Sequence, residues 1–153
     1  MTIEDYLTKL LQHAGVDPEN LKLEIVEDET SVNAVVEVSP EDSGLLIGFH
    51  GDTLNSIQRM TRIVFQEYLQ DKRFTLNINQ YREQRAEKLK TMAIDIAQRV
   101  LETGETYEFS FLPPQERFVI HSVLSEMPEF ESLETVSEGE GNQRYLTIRP
   151  KAA

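Results

Sequence analysis

Leu45-Leu46-Ile47-Gly48-Phe49-His50-Gly51-Asp52-Thr53-Leu54 sets two glycines three apart, after an apolar run and ahead of a helical apolar pattern. A Gly-x-x-Gly turn between two helices lets the backbone adopt conformations closed to other residues. It also leaves N–H groups exposed at the start of the second helix. A helix N-terminus carries unsatisfied donors and a partial positive charge, so such a turn forms a phosphate-sized site. The same pair also suits a plain tight turn. The flanks decide between the two readings.

On the N-terminal side, Ile3, Tyr6, Leu7, Leu10 and Leu11 follow the i, i+3, i+4, i+7, i+8 spacing of one apolar helix face. Thr2 with Asp5 suits the helix start, and Gly15 suits its end. Leu21, Leu23 and Ile25 alternate with Lys22 and Glu24, and Val32, Ala34, Val36 and Val38 alternate again. Two period-2 runs joined by the polar link Glu27-Asp28-Glu29-Thr30 predict an antiparallel hairpin. Ser39-Pro40-Glu41-Asp42 opens a short helix that ends at Gly48. Beyond the glycines, one helix is expected from Asp52 to about Leu69. Its apolar arc is Leu54, Ile57, Met60, Thr61, Val64, Phe65 and Tyr68, and Arg59 and Arg62 lie on a second arc. Phe74, Leu76 and Ile78 predict a third strand. The order is α-β-β-α-α-β.

A second unit starts at Asn79-Gln80-Tyr81. A long helix reaches Glu102, with Ala86, Leu89, Met92, Ala93, Ile96, Ala97 and Val100 on one stripe. Tyr107, Phe109 and Phe111 alternate as a strand. Pro113 and Pro114 open a short helix ending near Met127-Pro128, where first-turn prolines cost no hydrogen bond. Leu133 to Val136 and Arg144 to Ile148 predict two strands around an acidic turn. The second unit is α-β-α-β-β. The fold class is α+β, with two small α/β-sandwich domains over residues 1–79 and 80–150.

Charge narrows the function classes. The 153-residue chain carries a net charge of −12, which opposes indiscriminate nucleic-acid binding by the whole surface. Residues 55–90, however, hold eight basic and four acidic side chains, against two and twelve in residues 1–52. A local basic face on an acidic body follows. With no cysteine there is no disulfide, thiolate metal site or cysteine nucleophile, as suits a reducing cytoplasm. No apolar run is long enough for a membrane segment, and the acidic start Met1-Thr2-Ile3-Glu4-Asp5 has no signal-peptide profile. The three histidines have no metal spacing, and no P-loop or Gly-x-Ser-x-Gly occurs. We therefore expect no cofactor, no metal and no enzymatic activity.

Two further groups of residues stand out. Arg117 and His121 are four apart, on one shoulder of the short helix whose buried arc includes Val119, Ile120, Val123 and Leu124. A guanidinium and an imidazole so placed can bind a phosphate, though a surface arginine and a satisfied boundary histidine have the same spacing. Arg82 and Arg85 project onto the stripe that turns apolar from Ala86. They are either neutralised by acidic partners or form a basic seam.

With those residues in view, Leu46-Ile47-Gly48-Phe49-His50-Gly51-Asp52-Thr53-Leu54 in α-β-β-α-α-β order resembles a type-II KH domain. Its Gly-x-x-Gly loop clamps a nucleic-acid backbone. Phe111-Leu112-Pro113-Pro114-Gln115-Glu116-Arg117-Phe118-Val119-Ile120-His121 resembles the R-three-H domain, named for its Arg-xxx-His pair. The two in sequence are similar to the Jag family of bacterial RNA-binding proteins. The resemblance implies single-stranded RNA as ligand, with single-stranded DNA as the variant and another KH-domain protein as the alternative partner. It implies contacts at Ile47, Gly48, Phe49, His50, Gly51, Leu54, Arg59, Arg62, Arg82, Arg85, Arg117 and His121. Three features depart from the family. The loop centre is Phe49-His50 where the family is usually basic, and position 118 is Phe where a second arginine is common. The chain also opens directly on the first KH helix, so the basic N-terminal Jag domain is expected to be lacking.

Overall fold

The computed structural model describes residues 1–152. The chain divides into two compact units, residues 1–82 and Glu83 onward.

The first unit begins with α1 (Ile3–His13). Thr2 and Asp5 cap it reciprocally, each side chain accepting the other's backbone N–H at 3.0–3.1 Å. At its far end Gly15, at φ +99°, lets the Val16 N–H reach the Leu11 carbonyl and its own N–H reach Gln12. Ile3, Leu7 and Leu11 face the core. Strands β1 (Lys22–Glu27) and β2 (Ser31–Glu37) pair antiparallel, and β2 pairs parallel with β3 (Arg73–Ile78), in the order β1-β2-β3. A parallel pair cannot close through a hairpin, so the chain must cross over one sheet face. That crossover consists of α2 (Pro40–Ile47), α3 (Asp52–Val64) and α4 (Gln66–Leu69), and the glycine pair is its corner.

The helix expected from Asp52 to Leu69 is thus two helices. Phe65 leaves helical geometry (φ −105°, ψ 22°) and packs edge-on against Tyr6, with centroids 5.5 Å apart. The row facing the sheet is Leu54, Ile57 and Thr61. Met60 and Val64 lie on its shoulder and Tyr68 follows the break, so all three are exposed, contrary to the sequence expectation.

β3 is an edge strand, and both outward backbone groups of Leu76 at its middle are taken by side chains. Gln58 Oε1 accepts the Leu76 N–H at 2.8 Å, and Arg82 Nε donates to the Leu76 carbonyl at 2.9 Å. This denies the edge to another strand. Beyond β3, the Asn79 side chain continues the ladder by bonding both backbone groups of Val38.

The turn between β1 and β2 is built on Asp28. Its carboxylate accepts the Thr30 and Ser31 N–H groups, both at 2.7 Å, and both hydroxyls. These bonds, led by the Thr30 N–H, hold its pKa at about 2. A carboxylate depressed in the folded state contributes stability above its unfolded pKa and loses it as pH falls through the folded one. The unfolding midpoint should therefore drop between about pH 4 and pH 2, and Asp28→Asn should flatten that drop. Identical midpoint-versus-pH curves for the two proteins would exclude this role.

In the second unit, α5 (Tyr81–Thr103), which starts two residues before the unit boundary, is followed by β4 (Tyr107–Glu108), α6 (Pro114–Ser125), β5 (Leu133–Glu138) and β6 (Tyr145–Pro150). The sheet order is β4-β6-β5, antiparallel throughout. Leu89, Ala93, Ile96, Ala97 and Val100 of α5 share a core with Ile120, Leu124, Leu146 and Ile148. The strand expected over Tyr107–Phe111 shortens to two residues. Leu112-Pro113-Pro114 then turns the chain into α6, and prolines offer no N–H to a ladder. Both units mix helices and strands; the second keeps the expected order α-β-α-β-β, and the first differs from its expected order only by α4 between α3 and β3. Among the described residues no helix is long and apolar enough to cross a membrane, and no group of three His, Cys, Asp or Glu side chains could hold a metal ion.

Candidate nucleic-acid interface

Ser39 caps α2 by accepting the Asp42 N–H, and Pro40 fits the first turn. The helix runs out at Ile47, which is half-buried against the first core. Gly48 then takes φ +72°, ψ −172°. A Cβ there would lie 2.3 Å from Thr53 Oγ1 and 3.0 Å from the Thr53 backbone nitrogen. Phe49 projects outward, 68% exposed. His50 is left-handed (φ 52°, ψ 26°) and stacks edge-to-face on Phe49, with centroids 4.1 Å apart. Gly51, buried at φ +80°, would place a Cβ 3.0 Å from the Tyr81 ring. Three positive-φ positions within four residues make the tight corner, and only the two glycines meet a steric wall. No side chain caps α3, and the exposed Asp52 in its first turn sets a carboxylate beside that N-terminus.

Leu54 was expected to face a bound strand. It is fully buried instead, so it supports the loop from beneath and offers no surface to a ligand. Arg59 and Arg62 are exposed on α3, and their side chains form no hydrogen bond or ion pair among the described residues. Arg82 is committed within the first unit. Besides the Leu76 carbonyl, its Nη2 reaches Asn55 and Gln58 at 3.2 and 3.0 Å. Arg85 is committed within the second, forming a two-pronged pair with the buried Glu116 at 2.8 and 2.9 Å. Of the two outcomes expected for these arginines, Arg85 takes the first, paired with an acidic partner, while Arg82 is held by neutral oxygens. Both guanidiniums hold their own unit together, one by amide and carbonyl oxygens and the other by a carboxylate.

Arg117 and His121 lie on one flank of α6, and each is steadied by the sheet side of its unit. Arg117 Nη1 donates to the Arg144 carbonyl at 3.0 Å, and His121 Nδ1 pairs with the Thr135 hydroxyl on β5. Both keep polar edges open: the remaining guanidinium N–H groups and imidazole Nε2. Phe118, next to Arg117 and one turn before His121, is 68% exposed. Its signal in the sequence is an apolar residue on the polar side of an amphipathic helix, visible there only as a departure from a family pattern. On β5 and β6, Arg149 is held by Glu134 (2.7 Å) and Glu138 (3.4 Å). The Glu134 carboxylate keeps that guanidinium charged even further above neutrality.

A helix corner with two left-handed glycines, followed by a second unit with a paired Arg and His on one helix flank, defines a KH domain joined to an R-three-H domain. Models of known families agree: residues 3–78 match the "KhpA/KhpB, KH domain" family and residues 87–150 match the R-three-H domain family. The chain is 33% identical over 153 residues to the RNA-binding protein KhpB of Clostridium symbiosum, covering 98% of this chain and 67% of that one. It is also 33% identical over 131 residues to the KhpB of Bacillus subtilis (85% and 62%), and 28% identical over 149 residues to that of Streptococcus pneumoniae strain D39 (95% and 44%). The chain belongs to the KhpB family. It spans between 44% and 67% of the length of these three relatives.

Proposed function

We propose that this protein binds single-stranded RNA in the bacterial cytoplasm, as a post-transcriptional or cell-growth regulator, using modules at residues 1–79 and 80–150. The observation that carries the reading is the glycine corner. Gly48 and Gly51 bring backbone close to any ligand at the uncapped N-terminus of α3, where donors and dipole favour a phosphate. Ile47 lines the corner, and Phe49 with His50 at its tip stacks on a base. Arg59 and Arg62 add charge along the same helix. Arg117 and His121 hold a phosphate in the second module, with Phe118 beside them as a stacking face. The names of the relatives support RNA over other ligands.

Fluorescence anisotropy with a labelled single-stranded RNA at several salt concentrations tests this. Gly51→Asp should weaken binding at least tenfold, because it adds a charge where phosphate sits and a Cβ against Tyr81. Arg117→Ala should lower the slope of log affinity against log salt by about 0.7, the value for one phosphate contact on a single strand. Phe118→Ala should weaken binding by about 1–3 kcal/mol and leave that slope unchanged, as lost stacking does. A protein that binds no RNA at low salt would overturn the reading.

A second reading rests on a separate observation. Met60, Ile63 and Val64 are exposed side by side on α3, an apolar strip suited to pairing with another KH protein. Crosslinking from cells separates the two, since a stoichiometric protein partner recovered without RNA would favour pairing.

A further inference from the structure

Between β3 and α5 the chain passes through two successive left-handed residues, Asn79 (φ +49°) and Gln80 (φ +57°). Asparagine tolerates this region, but a longer side chain such as glutamine enters it only where its surroundings compel it. Here they do. The Asn79 N–H donates to the Val36 carbonyl at 2.9 Å, and its side chain holds both backbone groups of Val38. On the far side of the turn, the Arg82 N–H donates to Asn77 Oδ1 at 3.3 Å. The turn is pinned at both ends and so fixes the direction in which α5 starts.

That direction puts Tyr81 against the glycine corner. The ring is half-buried on the first core. A Cβ on Gly51 would meet Tyr81 Cε1 at 3.0 Å, with Oη at 3.6 Å and Cζ at 3.7 Å. One residue on, the Arg82 guanidinium spans from the Leu76 carbonyl to Asn55 and Gln58 on α3. All of these contacts lie within the first unit. Tyr81 and Arg82 therefore brace the corner and the helix that follows it, although both stand beyond residue 78, where the KH match ends.

We infer that Tyr81 is a positioning residue for the phosphate corner: its ring holds Gly51 in the left-handed conformation that aims the first N–H groups of α3, without itself touching the ligand. The inference rests on the RNA-binding reading and adds what keeps that site in its binding shape. Glycine moves freely between positive and negative φ, so a corner with two glycines needs outside walls to stay in one conformation. At Gly48 the wall is Thr53, on α3 itself; at Gly51 it is Tyr81. Without the ring the corner would divide its population among several shapes, and apparent affinity falls by the fraction that remains competent. The strained turn is what delivers the ring, which gives a reason for two left-handed residues where neither is glycine.

Anisotropy of a labelled single-stranded RNA with the full chain tests this, at a temperature where thermal unfolding shows each variant to be folded. Tyr81→Phe keeps the ring edge against Gly51 and should bind as wild type does. Tyr81→Leu keeps apolar bulk in the core but removes that edge. It should weaken binding roughly fivefold, as for a corner in its binding shape about a fifth of the time. The slope of log affinity against log salt should stay the same, since no phosphate contact is lost. Gly51→Ala should cost less affinity in the Tyr81→Leu background than in wild type, because the new methyl no longer meets the ring. Should Tyr81→Leu not fold, Tyr81→Met, with its more adaptable side chain, takes its place under the same expectations. Amide NMR of the free protein supplies a readout that a general loss of stability does not move: the Gly51, Asp52 and Thr53 signals should broaden by exchange in Tyr81→Leu and stay sharp in Tyr81→Phe. The inference is overturned by a Tyr81→Leu protein that binds like wild type, or by equal losses from Gly51→Ala in both backgrounds. It is overturned as well by a Tyr81→Phe protein that binds as poorly as Tyr81→Leu, which would make the hydroxyl a direct contact. If wild type binds no RNA, the RNA-binding reading fails by itself, and the amide signals still decide whether Tyr81 holds the corner.

Discussion

Gly48→Ala is expected to lower the stability of the first unit by about 2 kcal/mol and to weaken RNA binding at least tenfold. A residue with a Cβ held at φ +72°, ψ −172° costs on the order of 1–3 kcal/mol in backbone strain. The site adds a steric term. The new carbon would meet Thr53 Oγ1 at 2.3 Å, which a rotation of that side chain relieves, but also Thr53 Cβ at 2.9 Å and the Thr53 nitrogen at 3.0 Å, which no rotation of Thr53 moves away. The start of α3 must shift, and with it the N–H groups proposed to hold phosphate. Gly44→Ala is the matched control. Gly44 lies inside α2, and an added methyl there would meet nothing within 4 Å, so alanine should stabilise by about 0.5–1 kcal/mol and leave affinity unchanged. Urea midpoints and RNA affinity measured on the same preparations check both. A Gly48→Ala protein matching wild type in both would mean that the corner is not the constrained element described.

The glycine corner was legible because its information is local. The spacing of two glycines, the apolar run before them and the helix pattern after them all lie within ten residues. The element orders of both units were legible for the same reason, since period and capping are properties of short windows. What escaped the sequence depends on what covers a side chain. Leu54 reads as apolar on a helix next to the loop, and that pattern fits a ligand contact as well as a core position; only the sheet packed over it decides. Met60 and Val64 belong to the apolar arc by spacing, yet the sheet covers a narrower face. Arg85 reads as either a paired or an open cation until Glu116, 31 residues away, is brought against it by the fold. Arg82 looks the same until the edge of β3 requires a donor.

The electrostatics change accordingly. Of the eight basic residues between positions 55 and 90, Lys72 is held by Glu27 at 2.6 Å, and Arg82 and Arg85 are committed as described. The Glu27 carboxylate holds the Lys72 ammonium charged above its ordinary range, with Tyr68 donating to the same carboxylate. Fewer cations are left for phosphate than the sequence count suggests, in a chain of net charge −12. Meanwhile the proposed contact sites of the two units each carry one phenylalanine, Phe49 and Phe118, at 68% exposure. The balance points to binding carried more by stacking and backbone contacts than by charge, and so to a shallower salt dependence than a basic KH loop would give.

Glu116→Ala is expected to destabilise the second unit by about 2–3 kcal/mol. Breaking a fully buried ion pair costs roughly 3–5 kcal/mol because the surviving charge remains away from water. Here Glu116 keeps 10% of its side chain exposed and Arg85 26%, so solvent recovers part of that cost. The pair joins the second turn of α5 to the first turn of α6, the two helices that frame the core of this unit, and Glu116 also sits favourably at the N-terminus of α6. Glu116→Gln keeps the shape and one acceptor oxygen, so it should lose less than alanine does. The double variant Arg85→Met/Glu116→Leu removes both charges and should regain part of the loss, since an apolar pair of similar size is often as stable as a buried ionic one. A double-mutant cycle from urea unfolding measures the coupling. The alternative is a pair that only decorates the surface, which would give a coupling under about 0.5 kcal/mol and an alanine variant with the wild-type midpoint. Because Arg117 follows Glu116 directly, the RNA measurements must be made where the variant is still folded. There the salt slope should stay at its wild-type value, which separates a residue that holds α6 in place from one that touches the ligand.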